Sequence, residues 1–408
     1  GEELINKYRS GEDWELYPDV NWLDAISKDM ASNTRGDLTI TGGSDILRYA
    51  LVASYYGERG IFVTDESKSW DSGTRLNKYN VRSNVDINVT KTTLVSVSIG
   101  GYLQEQNGVV QNVQDIWNYA FDTPPFVHPT QYANGDNVRV QSRQNPWAEV
   151  TQHGYKTTSN SKVESLFSIE QDLKFITPGL KIKGLFSFDR YSSSWIKRSR
   201  TPTYYNPASG RDPETGDLIL AVGTDGQEFL STESSGEWGN KATYLEGNIT
   251  YDRTFGKHAV NGMLLYNQRD YNDGSVVPYR RMGLAGRASY TFDNKYIAEF
   301  NFGYNGSENF ARGNRFGFFP SVALGYFLSE ESFMQPYKDT FSKIKLRASW
   351  GLTGNDQLDG RRFAYIPTID ESGNYKWGVN NDFNRSSRFE GEFGVDDFDL
   401  LFLENIGN

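Results

Sequence analysis

Seven aromatic side chains stand in stretches that otherwise read as polar loops: Trp117, Tyr119, Trp147, Tyr155, Tyr204, Tyr205 and Trp238. A ring exposed in a loop stacks on a sugar face or packs against a protein lid, so these are the candidate substrate or lid contacts. The blander alternative is that they only pack the loops against one another. Asp212, Glu214 and Asp217, in and just after YYNPASGRDPETG, are loop carboxylates of the kind that bind Ca²⁺. They lack the spacing of an EF-hand, so a solvated turn is the preferred reading and no cofactor is expected. His128, His153 and His258 are scattered without ligand spacing, which gives no metal site; His258 follows a tight turn and reads as a strand-end residue. Arg312 and Arg315 in FARGNRFGFF could hold substrate, yet Gly313 and Gly317 mark an external hairpin instead. GNRFG also lacks the Lys-Ser/Thr of a phosphate loop. No nucleophile, base and orienting group come together, so no catalytic residues and no enzyme are expected.

The elements that must position these residues show a period of two. In 296–304, Tyr296, Ala298, Phe300, Phe302 and Tyr304 point one way, while Glu299, Asn301 and Gly303 point the other. The run 320–328 repeats this with Val322, Leu324, Tyr326 and Leu328 against Ser321, Ala323 and Gly325. A third run, 343–351, sets Ile344, Leu346, Ala348 and Trp350 against Lys345, Arg347 and Ser349. Alternation with one aromatic-rich apolar face means strands. The opposite face is charged or small and faces water, the arrangement of a strand with lipid outside and an aqueous lumen inside. On this reading Lys181, Lys183, Arg287, Glu299, Lys345 and Arg347 face the lumen.

Composition agrees. The chain of 408 residues holds 25 Tyr, 25 Phe and 9 Trp, at a mean hydropathy of only −0.62. Aromatic girdles at two membrane interfaces need such rings; a hydrophilic soluble enzyme rarely does. No apolar run reaches the ~18 residues of a spanning helix, which excludes a helical membrane protein and leaves a barrel untouched. A net charge of −10 argues against a general nucleic-acid binder. The absence of Cys excludes disulfide scaffolds and thiolate metal sites.

Along the chain, 1–35 is expected to be irregular to weakly helical, with a short amphipathic helix in YPDVNWLDAI. About twelve strands of roughly nine to eleven residues follow, long enough to cross a membrane at a tilt. Hairpins are expected at 37–56, 79–103, 165–191 and 244–267, a run at 269–279, and a tight turn at 293–295. The connectors alternate short and long, with 104–161 and 192–241 far too long for ordinary loops. Tight turns at one end and long loops at the other are a habit of bacterial outer-membrane barrels, not of soluble sandwiches. The stretch 329–342 is the one long connection on the tight-turn side and is expected to hold a helical cap.

Four stretches in this order resemble the SusC-type (RagA-type) TonB-dependent transporters of the Bacteroidota outer membrane. They are YPDVNWLDAI, LTITGGSDILRYALVASYYGERGIF, SENFARGNRFGFFPSVALGYFLSEESF and KIKLRASWGLTGNDQL. No single piece decides the matter, but the ordered set is specific and covers most of the chain. The resemblance implies an all-β fold: a transmembrane antiparallel barrel of about 22 strands closed by a separate N-terminal plug. It implies import of nutrient oligomers, a glycan before a peptide, with a SusD-like surface lipoprotein as lid and TonB as the source of work. This sequence departs from the family in having no plug, no TonB-interacting segment and no aromatic-ended last strand. It is therefore expected to be part of one barrel domain, with 1–35, 104–161 and 192–241 as extracellular loops. A passive pore or adhesin barrel is the main alternative, and a secreted all-β carbohydrate-active protein the second.

Overall fold

The computed structural model describes residues 2–231 and 234–356, residues 362, 363, 365 and 366, and, as backbone only, three short strands beyond them. The chain end at 405–408, where an aromatic-ended strand was looked for, lies outside the described residues. Two helices come first, α1 (Glu2–Ser10) and α2 (Trp22–Ile26). β1 (Ser32–Gly43), β2 (Leu47–Arg59), β3 (Arg75–Thr90) and β4 (Thr93–Gly108) follow as consecutive hairpins. The next connection folds into α3 (Val113–Asp122), β5 (Asn137–Val138) and α4 (Pro146–Thr151) before β6 (Gly154–Asp172) and β7 (Leu180–Ser199). A second connection holds β8 (Tyr204–Arg211) and β9 (Leu218–Thr224). Then come β10 (Ser234–Phe255), β11 (His258–Asn272), β12 (Tyr279–Phe292), β13 (Tyr296–Ser307), β14 (Phe316–Phe327) and β15 (Lys345–Thr353). β16 (Thr368–Trp377) and β17 (Phe383–Glu392) pair with each other, and β18 (Leu403–Glu404) lies beside β15.

Thirteen strands form one antiparallel sheet, each beside its neighbour in sequence once β5, β8 and β9 and the separate pair β16–β17 are set aside. The tight turns are chemically explicit. Asp293 and Asn294 both take positive φ, +53° and +58°, the geometry that matches the twist of two joined strands. At the β6–β7 turn Gly179 has φ +90°, and a Cβ there would strike the carbonyl oxygen of Asp252; only glycine fits.

Register assigns the faces, because directly opposed residues share a side of the sheet. Ile249 lies opposite Ile182 and Leu264, and Phe300 opposite Val322, forming a continuous apolar face. Two aromatic rows edge it. Tyr296 stacks on Tyr326 near the tight turns, with centroids 5.1 Å apart. Tyr304 stacks on Phe316 toward the long loops, also at 5.1 Å. Eight residues of β13 separate the rows, about 26 Å at ~3.3 Å per residue, which matches the apolar belt of an outer-membrane barrel. The other face carries the expected charges. Lys181 lies opposite Thr250 and Lys183 opposite Asn248, Lys345 opposite Phe327 and Arg347 opposite Gly325, and Arg287 pairs with Glu299 at 2.6 Å.

The strands are longer than the apolar alternation foretold. β10 has 22 residues and β7 has 20, against roughly ten expected from the belt thickness. Above the belt both faces meet water, so the hydrophobic period fades while the backbone ladder continues. The loops shrink accordingly: 1–35 gives up its last residues to β1, 104–161 becomes 109–153, and 192–241 becomes 200–233. The expected run at 269–279 is split, since β11 stops at Asn272 and β12 starts at Tyr279. The cap expected at 329–342 is present as two 3₁₀ turns, Leu328–Glu330 and Ser332–Tyr337.

Candidate functional site

Apart from 328–344, the long connections among the described residues lie at one end of the sheet, and three of them fold onto the N-terminal segment as a cap. Its helices start where asparagine caps them. The Asn21 side chain accepts from the Leu23 amide at 3.2 Å, and Asn112 from Gln114 at 2.8 Å. Asn145 accepts from Trp147 at 3.1 Å, with Pro146 in the first turn of α4. The apolar faces of α2, α3 and α4 then meet. Trp22, Ile26, Phe62, Ile116, Ala120 and Val150 form one buried cluster, and Ile116 is 0 % exposed. A second cluster joins Tyr132, Val138 and Leu218 under the small sheet β5–β8–β9. Burial, and then the nearby Glu15 charge, push the Tyr132 hydroxyl up to about 12.

Polar straps join the pieces. Arg211 reaches Asp13 at 2.6 Å and Glu15 at 2.8 Å, and Glu15 also accepts the Ala133 amide at 2.8 Å. Gln152 donates to Asp65 at 2.6 Å, while Arg200 donates to the Gln152 carbonyl at 3.2 Å and the Glu228 carbonyl at 2.7 Å. Burial alone would raise the Asp65 carboxyl, but hydrogen bonds from Ser67 and Gln152, with Lys68 nearby, hold it below its usual value. His128 is 4 % exposed and packs on Trp22. Its Nδ1 lies 2.7 Å from the Pro129 carbonyl, and Nε2 is buried with no partner among the described residues. Burial lowers its pKa below 6.5.

The seven candidate aromatics separate into two kinds. Trp117 and Trp147 pack against the first cluster, Trp117 with its ring 5.4 Å from Phe62. Tyr205 packs on the second cluster. The Tyr204 hydroxyl lies 3.3 Å from His153, which is itself 3.2 Å from Glu149, and burial raises the tyrosine's pKa well above its ordinary value. Tyr119 is half-buried on α3. None of the seven lies in irregular chain: Trp117 and Tyr119 are on α3, Trp147 on α4, Tyr155 in β6, Tyr204 and Tyr205 in β8, and Trp238 in β10. Trp238 stays 54 % exposed, in a T-shaped contact with the Tyr191 ring at 5.3 Å. Asp212 closes a turn by accepting the amides of Glu214 and Thr215. Among the described residues no three carboxylates or histidines converge as metal ligands. The His258 ring, 2.6 Å from the Tyr290 hydroxyl, opens β11 as expected. Gly313 takes φ +102° in the turn that carries Arg312 and Arg315, and Gly317 lies inside β14.

Sequence reasoning missed the upper part of the charged face. Trp238 opposes Ser193, and Tyr191 opposes Lys162, which opposes Tyr102. Two rungs higher, Trp195 opposes Thr158. Cations lie on several of these rings: Lys78 on Tyr102 at 4.7 Å, Lys156 on Trp195 at 5.2 Å and Arg269 on Tyr271 at 5.6 Å. The available signal was the period of two continued past the apolar belt, which sets all these residues on the side of Lys183.

No family model matches the chain. It is 24% identical over 380 residues to TonB-dependent receptor P3 of Formosa agariphila, a match covering 83% of this chain and 34% of the relative. With TonB-dependent receptor SusC of Bacteroides thetaiotaomicron it shares 24% identity over 412 residues, covering 88% and 38%. The chain thus spans about a third of the length of these curated relatives. Among solved structures it resembles the RagAB peptide importer in the open-open state, at a TM-score of 0.63 and 15% identity, covering 98% of this chain and 45% of that one. These relatives are named as receptors and importers, not enzymes, and receptor barrels of this type lie in the bacterial outer membrane. The chain is related, over most of its length, to the TonB-dependent receptors of the SusC and RagA type, and its fold is that of a stretch of their barrel.

Proposed function

We propose that this chain forms the wall and outer mouth of a TonB-dependent importer of nutrient oligomers, a glycan before a peptide. One observation carries the reading: a single antiparallel sheet has an apolar, aromatic-edged face and a charged face, and the long connections at one end fold into a cap. A wall of this kind is stable with lipid on one side and water on the other. The segments 1–31, 109–153 and 200–233 are then extracellular, and Lys181, Lys183, Arg287, Glu299, Lys345 and Arg347 line the lumen. The buried rings Trp117, Trp147 and Tyr205 shape the cap from within, while its surface is the place for a SusD-like lipoprotein lid. Energy coupling through TonB is a property of a whole receptor, of which this chain spans about a third.

The test is to extract the full-length parent in detergent and identify what comes with it. A co-purifying surface lipoprotein, lost when 109–153 is deleted while the barrel stays inserted, supports the reading. A barrel that emerges alone points to a pore or adhesin, and a protein that needs no detergent overturns the membrane assignment.

A further inference from the structure

We propose that the mouth of this wall selects an anionic oligosaccharide, a chain of sugar rings bearing carboxylate or sulfate groups; the proposal rests on the import reading above. Three cations on the charged face, Lys78, Lys156 and Arg269, lie on aromatic rings at 4.7, 5.2 and 5.6 Å. None of the three makes an ion pair among the described residues. Lower on the same face several charges are paired with carboxylates, Arg82 with Glu164 at 3.0 Å, Lys181 with Glu170 at 2.9 Å and Arg287 with Glu299 at 2.6 Å, while Lys345 lies on the Phe327 ring at 4.9 Å. A cation on a ring is attracted to it but keeps its full charge. All three lie more than ten residues from the tight turns along β3, β6 and β11, and such unneutralised cations in the outer half of the face, in a chain of net charge −10, form a field that draws anions.

The same outer half supplies what a sugar needs besides charge. Trp238 is 54 % exposed beside Tyr191, which leaves ring surface open to stack on a pyranose. Between the rings stand amide side chains, Gln104 opposite Asn160 and Asn240 opposite Tyr191. Amides both donate and accept, as sugar hydroxyls do.

The experiment is calorimetric titration of the full-length receptor in detergent with hexa-galacturonate, maltohexaose and hexa-glutamate. Hexa-galacturonate is expected to bind at least about tenfold more tightly than maltohexaose, a preference that fades as salt rises. The double variant Lys156→Gln/Arg269→Gln should remove that preference, while Trp238→Ala should weaken both sugars alike. Equal binding of the two sugars in the parent overturns the proposal, as does hexa-glutamate binding more tightly than hexa-galacturonate. In cells, energy-dependent uptake of neutral oligomers alone leaves the import reading standing and sinks this one; no oligomer uptake sinks both.

Discussion

Ile116→Ala tests whether the cap is a folded unit in its own right. Ile116 is fully buried between α2 and α4, in contact with the cluster of Trp22, Ile26, Phe62 and Val150. The substitution removes three carbons from a dry core. At ~0.8 kcal/mol per buried methylene this costs about 2.4 kcal/mol. The cavity left behind raises the total to about 3–4 kcal/mol, since two short helices cannot close fully over the space. If the cap opens independently, its open population rises about 150- to 700-fold. Hydrogen exchange on the full-length receptor in detergent reads this directly: amides of α3 and α4 lose protection, and those of β10 to β14 do not change. The solvent-exposed control Leu4→Ala on α1 should stay within about 0.5 kcal/mol of the parent. Unchanged protection in 109–153 would refute the idea of a shared core. Equal loss in the cap and the main sheet would show that the two unfold as one.

Three further outcomes are expected. Arg211→Met unties α1 and its following segment from β8, leaving the buried Glu15 carboxylate with the Ala133 amide alone. Arg211 is about one-third exposed, so the loss is discounted to about 1–2 kcal/mol, and protease cleavage before residue 20 should quicken; unchanged cleavage would contradict the strap. His128 is neutral when buried and its folded pKa lies below the ordinary 6.5. The unfolded cap therefore binds more protons below pH 6.5, and cap stability is full above that value and falls as pH drops beneath it. His128→Gln should flatten the exchange-versus-pH profile between 6.5 and the lowered pKa, and an unaltered slope would assign the effect elsewhere. Gly179→Ala forces a Cβ onto the Asp252 carbonyl at positive φ, at a cost of about 1–3 kcal/mol. It should lower the temperature at which the folded barrel loses its fast gel migration, whereas Gly256→Ala, at φ +62° with open space around it, should shift it less.

The membrane-facing wall was legible in the amino-acid order. Residues such as Ile182, Ile249, Phe300 and Tyr304 announce their face locally, because a strand sends alternate side chains to opposite sides and lipid accepts only one kind. That rule also placed Lys181, Arg287 and Glu299 on the opposite face without knowledge of any partner strand. Where water bathes both faces the rule has nothing to act on. The upper halves of β7 and β10 therefore passed for loops, and Trp238 with them.

The cap was decided only by tertiary structure. Trp117 and Trp147 stand beside Gln and Asn in polar stretches, and nothing nearby shows that Trp22 and Phe62 complete their packing from far away in sequence. Arg211 meeting Glu15, and Arg200 meeting Gln152 and Asp65's partner network, likewise depend on long closures between segments with no shared pattern. Period and composition are local quantities, so they determined the barrel wall. Which ring is buried in a core and which is left open at the mouth depends on chain closure over tens of residues, and only the folded arrangement of the loops settles it.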